Sequence, residues 1–88
     1  MKLLFCPNCE DIVKLNMRTR FCLCGNVSGR YLDNRLAVYA GDAVPLGIDN
    51  KTLLPAITGW KKTGLGLHFD AFTISKECPT FVKDEKAE

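Results

Sequence analysis

The 88-residue chain has no long hydrophobic run. Near its start only Leu3-Leu4-Phe5 is continuously apolar, far short of the roughly 7–15-residue apolar segment of a secretory signal. No stretch approaches the ~20 apolar residues of a membrane-spanning helix. The expectation is a cytoplasmic chain with no membrane partner. Histidine is scarce: His68 is the only one, and no nucleophile–base set surrounds it in the sequence. A phosphate loop is missing too. Thr63-Gly64-Leu65-Gly66-Leu67 lacks the Gly-Lys-Ser/Thr ending and the strand-then-helix setting. There is no internal repeat beyond two cysteine pairs, and no low-complexity linker. Charge of one sign is not concentrated either, and the formal net charge is only +2. Residues 1–35 carry six Lys or Arg against three acids, and residues 36–88 carry six against seven. The first part is therefore mildly basic, well short of the dense basic stripe of a nucleic-acid binder.

What the chain does have is cysteine, five in all. Four form two tight pairs, Cys6-Pro7-Asn8-Cys9 and Cys22-Leu23-Cys24-Gly25. Twelve residues separate the pairs, enough for two short strands and a turn, so the pairs can meet. Four thiolates meeting at one point satisfy a tetrahedral Zn²⁺ ion. In a chain without a secretory segment, paired cysteines more often mean a metal than a disulfide. Reduced structural thiols or redox disulfides are the other reading of the same residues. Thiolates alone do not separate Zn²⁺ from Fe²⁺. A chain this short buries only roughly 60–65% of its unfolded surface. Zinc in small domains supplies about 10–16 kcal/mol of apparent free energy, so the first third should depend on it.

Residues 2–6 read as a strand entering the first cysteine turn, and Ile12-Val13-Lys14-Leu15 as a strand leaving it. Asn16–Thr19 is a polar turn, and Arg20-Phe21-Cys22 returns to the second pair. The expectation is one hairpin whose two tips each carry a cysteine pair. Ser28–Arg35 reads as a polar, loop-like segment and possible contact loop, Leu36–Ala40 as a strand and Gly41-Asp42 as a turn. Ala43–Ile48 is apolar but holds Pro45, which favours an edge position. Thr52 is the expected N-cap of a helix near 52–62, with Pro55 in its first turn and Gly64 as its stop. Leu53, Leu54, Ala56, Ile57 and Trp60 then form one apolar, buried stripe. Leu65–Ile74 reads as a last strand with a bulge, and 83–88 as a charged tail.

The cysteine pattern resembles the zinc-ribbon class, with its rubredoxin-like knuckles, whose motif is roughly Cys-Pro-x-Cys-Gly, a hairpin, then Cys-x-x-Cys-Gly. The resemblance covers residues 3–28. It implies Zn²⁺ held by Cys6, Cys9, Cys22 and Cys24 beside a three-stranded antiparallel core. Two departures stand out: Glu10 replaces the first glycine, and the second pair is one residue shorter than usual. Residues 29–88 match no family motif.

The fold expected is α+β, mostly β: a zinc-ribbon hairpin (1–28) joined to a small antiparallel sheet with one short helix (29–82), the two parts sharing one core. Four cysteinates leave a metal no open position, so the site is structural and the chain is not expected to be an enzyme. The reading that remains is a small zinc-stabilised accessory or regulatory module engaging a protein partner. The alternative is a nucleic-acid-binding regulator, with Arg18, Arg20, Arg30 and Arg35 on phosphate and Trp60-Lys61-Lys62 stacking a base. The plainer reading of Lys14, Arg18, Arg20 and Arg30 is charge balance and solubility, and of Trp60 a core contact. Cys78 reads as a partly buried thiol, with a replacement ligand or reactive group as the alternative. His68 reads as a solvated or core-edge side chain that on a strand would share a face with Asp70.

Overall fold

Short β-branched and aromatic segments separated by Gly, Asp and Asn turns dictate a sheet protein. The computed structural model describes residues 1–83. From the N-terminus its strands are β1 (Lys2–Phe5), β2 (Ile12–Lys14), β3 (Arg20–Phe21), β4 (Ser28–Tyr31), β5 (Ala37–Ala40), β6 (Val44–Ile48), β7 (Ala71–Thr73) and β8 (Phe81–Lys83). One helix, α1 (Asn50–Thr58), lies between β6 and β7. The protein is α+β and mostly β, with two four-stranded sheets ordered β2-β1-β6-β7 and β3-β4-β5-β8. All neighbours run antiparallel except β5 and β8, which are parallel.

Alternation along the strands sets the core. Leu4 faces Val13 across the β1–β2 pair and is fully buried, while Leu3 and Phe5 turn to the other face. In the second sheet Ala37, Tyr39 and Phe81 are buried on the facing side. The Tyr39 and Phe81 rings meet edge-to-face, 5.2 Å apart. The two sheets meet at Gly29 of β4, where an added Cβ would lie 2.8 Å from Leu4 Cδ1 and 3.0 Å from the Val38 carbonyl oxygen. Only glycine lets the sheets come this close.

Several expectations need correction. The expected single hairpin is two. β2 pairs with β1, but β3 pairs with β4, because the chain turns back after Cys22 through a Cys22 N–H bond to the Val27 carbonyl at 3.0 Å. The polar Ser28-Gly29-Arg30-Tyr31 run is an interior strand rather than a loop, since Ser28 and Gly29 are buried between β3 and β5. β6 is an interior strand despite Pro45. Pro45 turns its backbone toward β7, where its carbonyl accepts from Ile74 N–H at 2.8 Å. Opposite Leu4 it forms a rung that needs no N–H.

The helix starts earlier than expected. Asp49 is the N-cap, its Oδ1 accepting from Lys51 N–H at 2.9 Å. Pro55 therefore lies inside the helix and Gly59 caps its end, ahead of Gly64. Its apolar stripe is not buried: Leu54, Ile57 and Trp60 are exposed, Trp60 at 85%. The expected last strand is reduced to β7. Upstream of it, Asp70 N–H donates to Thr52 Oγ1 and its carbonyl accepts from Asp49 N–H, so the chain binds the helix start instead of a sheet. His68 and Asp70 consequently share no strand face. Lys83, expected in the tail, closes β8 opposite Tyr39, and the rest of 83–88 lies outside the described residues.

Candidate metal centre

Each cysteine pair sits at the tip of its own hairpin. After β1 the chain turns tightly: Glu10 N–H donates to the Cys6 carbonyl at 2.7 Å, and Cys6 N–H to the Asp11 carbonyl at 2.9 Å. This turn puts Glu10 at φ 60°, a left-handed conformation that costs a non-glycine residue roughly 1–2 kcal/mol. Glutamate thus adopts the conformation of the glycine it replaces. The second turn closes through Gly25 N–H to the Cys22 carbonyl at 3.1 Å, with Gly25 at φ 79°. One side chain ties the turns together: Asp11 Oδ2 accepts from Leu23 N–H at 3.1 Å.

The four sulfurs of Cys6, Cys9, Cys22 and Cys24 lie within 4.8 Å of one another. Cys24 Sγ is 3.6 Å from Cys6 Sγ and 3.5 Å from Cys22 Sγ. A tetrahedron with metal–sulfur bonds of about 2.3 Å has edges of about 3.8 Å. The cluster therefore has the dimensions to hold a metal ion, and the donors are all soft sulfur. Cys6 and Cys22 are buried, Cys9 is half-buried and Cys24 is exposed, so the cluster opens to solvent on one side.

Proton affinity is uneven among the four. The Cys9 and Asn8 amides pull the Cys6 thiol down, but burial and the neighbouring Cys22 and Cys24 thiols outweigh them and push it up to about 11. For Cys24 the Asn8 side chain and the Asn26 amide dominate and pull it down to about 6. Burial opposes ionisation of Cys22, yet the Val27 amide and the Cys6 and Cys9 thiols leave it below its ordinary value. Amides aimed at sulfur are the outer support that orients and charges thiolate ligands. A metal here would cross-link the two hairpin tips, and four thiolates would leave it no open position for water.

Sequence reasoning missed three residues that build this centre. Asp11 and Asn8 looked like ordinary turn residues, although an acid just after a Cys-x-x-Cys pair is well placed to reach the second turn. Gly41 (φ 90°) was read only as a turn. A Cβ there would lie 2.1 Å from the Asn26 carbonyl oxygen, so the β5–β6 turn presses directly on the second cysteine turn. That contact has no local sequence signal.

The other candidates are dispersed. Arg18 sits in the β2–β3 turn, its N–H bonded to Asn16 Oδ1 at 2.8 Å. Arg20 stands opposite Gly29, so Arg30, the next residue along β4, faces the other side of the sheet. Arg35 lies in the β4–β5 turn, where Lys2 Nζ donates to its carbonyl. Trp60, Lys61 and Lys62 are exposed beyond α1. Arg20, Arg30 and Arg35 belong to the second sheet and its β4–β5 turn, Arg18 to the turn joining the two sheets, and Trp60, Lys61 and Lys62 to the chain after α1. Cys78 is not part of the cluster. It is half-buried, its Sγ 3.5 Å from Thr80 Oγ1, and the Thr80 hydroxyl and amide hold its thiol below the ordinary value. His68 is exposed.

Among the described residues no helix is long and apolar enough to cross a membrane. The clustered cysteines are compatible with zinc-ribbon-like knuckles, while no protein-family model, curated protein or solved structure matches the chain.

Proposed function

We propose that this chain is a small zinc-stabilised, non-enzymatic binding module that engages a protein partner as an accessory or regulatory factor. The observation that carries the reading is the four-sulfur cluster, which would fill the coordination shell of a structural ion and leave it no position for a substrate. Zinc is the ion chosen because four-cysteine tetrahedra are its common structural site. A metal that serves only to hold the fold leaves function to the surface. There the largely apolar outer side of the first sheet, with Leu3, Ile12 and Leu46 and one charge, Lys14 opposite Leu3, supports a protein partner over nucleic acid. The dispersed arginines give no comparable phosphate-tracking face.

The test is capture from native cells with the tagged chain and with its Ile12→Lys variant. A protein retained through nuclease and high salt, and lost with Ile12→Lys, supports the proposal. Recovery of nucleic acid alone, released by salt, contradicts it.

A further inference from the structure

Two apolar grooves join on one side of the molecule. The first, about 540 Å³, lies over the first sheet between Leu3, Ile12, Leu46 and Ile48. The second, about 420 Å³, lies between α1 and the chain leading to β7, with Ile57, Trp60 and Leu67 on its walls. Phe69 lines both, so the two form one continuous surface. No charged side chain lines either groove.

The size of this surface is informative. From their exposed fractions, Ile12, Ile57, Trp60, Leu67, Phe69 and Phe72, all lining the two grooves, together leave roughly 800 Å² in water, about one partner's share of a standard interface. The largest apolar patch on a typical monomer is only about 300–600 Å². Shape and charge narrow the occupant. An uncharged apolar groove asks for an equally uncharged apolar partner, and this chain carries one on the same side. Trp60, 85% exposed, projects at one end of the surface, and the groove over the sheet lies at the other, with Phe69 between. A two-fold axis near Phe69 would set each Trp60 over the sheet groove of the other copy, satisfying projection and groove at once. A net charge of only +2 puts little repulsion between two copies.

We infer that this surface pairs two copies of the chain into an isologous dimer, with Trp60 of each copy seated in the first-sheet groove of the other. The inference rests on the reading that the chain is a protein-binding module, and it names the partner as a second copy.

The test uses the zinc-loaded full chain in sedimentation equilibrium, from low-micromolar to several hundred micromolar. Trp60, the only tryptophan, is the reporter. The mass should rise from monomer to dimer with concentration. Over the same range Trp60 emission should move to the blue and acrylamide quenching should fall. Ile12→Lys alters an exposed position on an edge strand, opposite Trp60 across the proposed interface. It should weaken the dimer at least tenfold and leave Trp60 emission red-shifted, with zinc content unchanged. Trp60→Ala should weaken the dimer likewise. A monomer at every concentration overturns the inference. So does a dimer in which Trp60 remains quenchable or which survives Ile12→Lys. If the chain stays monomeric but captures a different protein in an Ile12-dependent way, the second copy is ruled out and the binding-module reading stands.

Discussion

The sulfur of Cys24 stands 3.6 Å from that of Cys6, although the two lie on the tips of different hairpins in different sheets. A metal ion held by all four sulfurs would cross-link the two tips. Replacing Cys24 with Ser should therefore weaken zinc binding by more than the roughly 10–100-fold that follows loss of an outer supporting group. It should also loosen the hairpin tips, seen as faster amide exchange around residues 6–27. Cys78→Ser should leave zinc content unchanged, because its sulfur lies outside the cluster. Metal analysis of both variants checks the contrast.

The Asp11 side chain bonds across from one cysteine turn to the other, through Leu23 N–H. Asp11→Ala should lower zinc affinity by about 10-fold. Asp11→Asn keeps an acceptor and should restore most of it. Competition with a chromogenic chelator measures both; equal loss in the two variants would assign the effect to charge instead of the hydrogen bond.

Gly25 and Gly41 both have positive φ, but their surroundings differ. A Cβ at Gly25 meets nothing within 4 Å, whereas at Gly41 it lies 2.1 Å from the Asn26 carbonyl oxygen. Gly25→Ala should cost about 1–2 kcal/mol from backbone strain alone. Gly41→Ala should cost about 2–4 kcal/mol from strain plus displacement of the second cysteine turn. Chemical denaturation of the zinc-loaded proteins would rank them, and Gly41→Ala should also release zinc more readily.

Metal binding requires thiolates, so protons compete with zinc. Cys6 is pushed up to about 11, and its proton must be displaced at any ordinary pH. Cys24, pulled down to about 6, is already largely a thiolate at neutral pH. Apparent zinc affinity should fall about tenfold per pH unit from pH 8 to 7, because Cys6 must lose its proton, and more steeply below about 6, where Cys24 also takes one up. The sign is fixed: acid releases zinc, and alkali does not. Equilibrium dialysis against a pH series reads the curve.

The site was legible in the sequence because its information is local: two close cysteine pairs, Pro7 in one and Gly25 after the other. What surrounds it was less legible because it depends on distant contacts. Pro45 reads as an edge residue until its carbonyl is seen bonded to Ile74 N–H, so that the missing N–H forfeits only the reciprocal bond just past the end of β7 and none to β1. Ser28-Gly29-Arg30-Tyr31 has loop composition, but Gly29 is there because Leu4 needs the space. Phe81 was invisible as a strand start, since β8 has only three residues and follows Cys78-Pro79; its role comes from parallel pairing to β5 and contact with Tyr39. The apolar stripe of α1 was read correctly as a stripe and wrongly as core. Periodicity identifies an apolar face but not what covers it.

The most direct test of the account is zinc-edge X-ray absorption on the purified full chain, with zinc quantified per chain. The account predicts one zinc with four sulfur neighbours at about 2.3 Å and no light-atom ligand. Fewer than four sulfurs, an oxygen or nitrogen in the shell, or a folded chain that purifies and remains folded without any metal would contradict it.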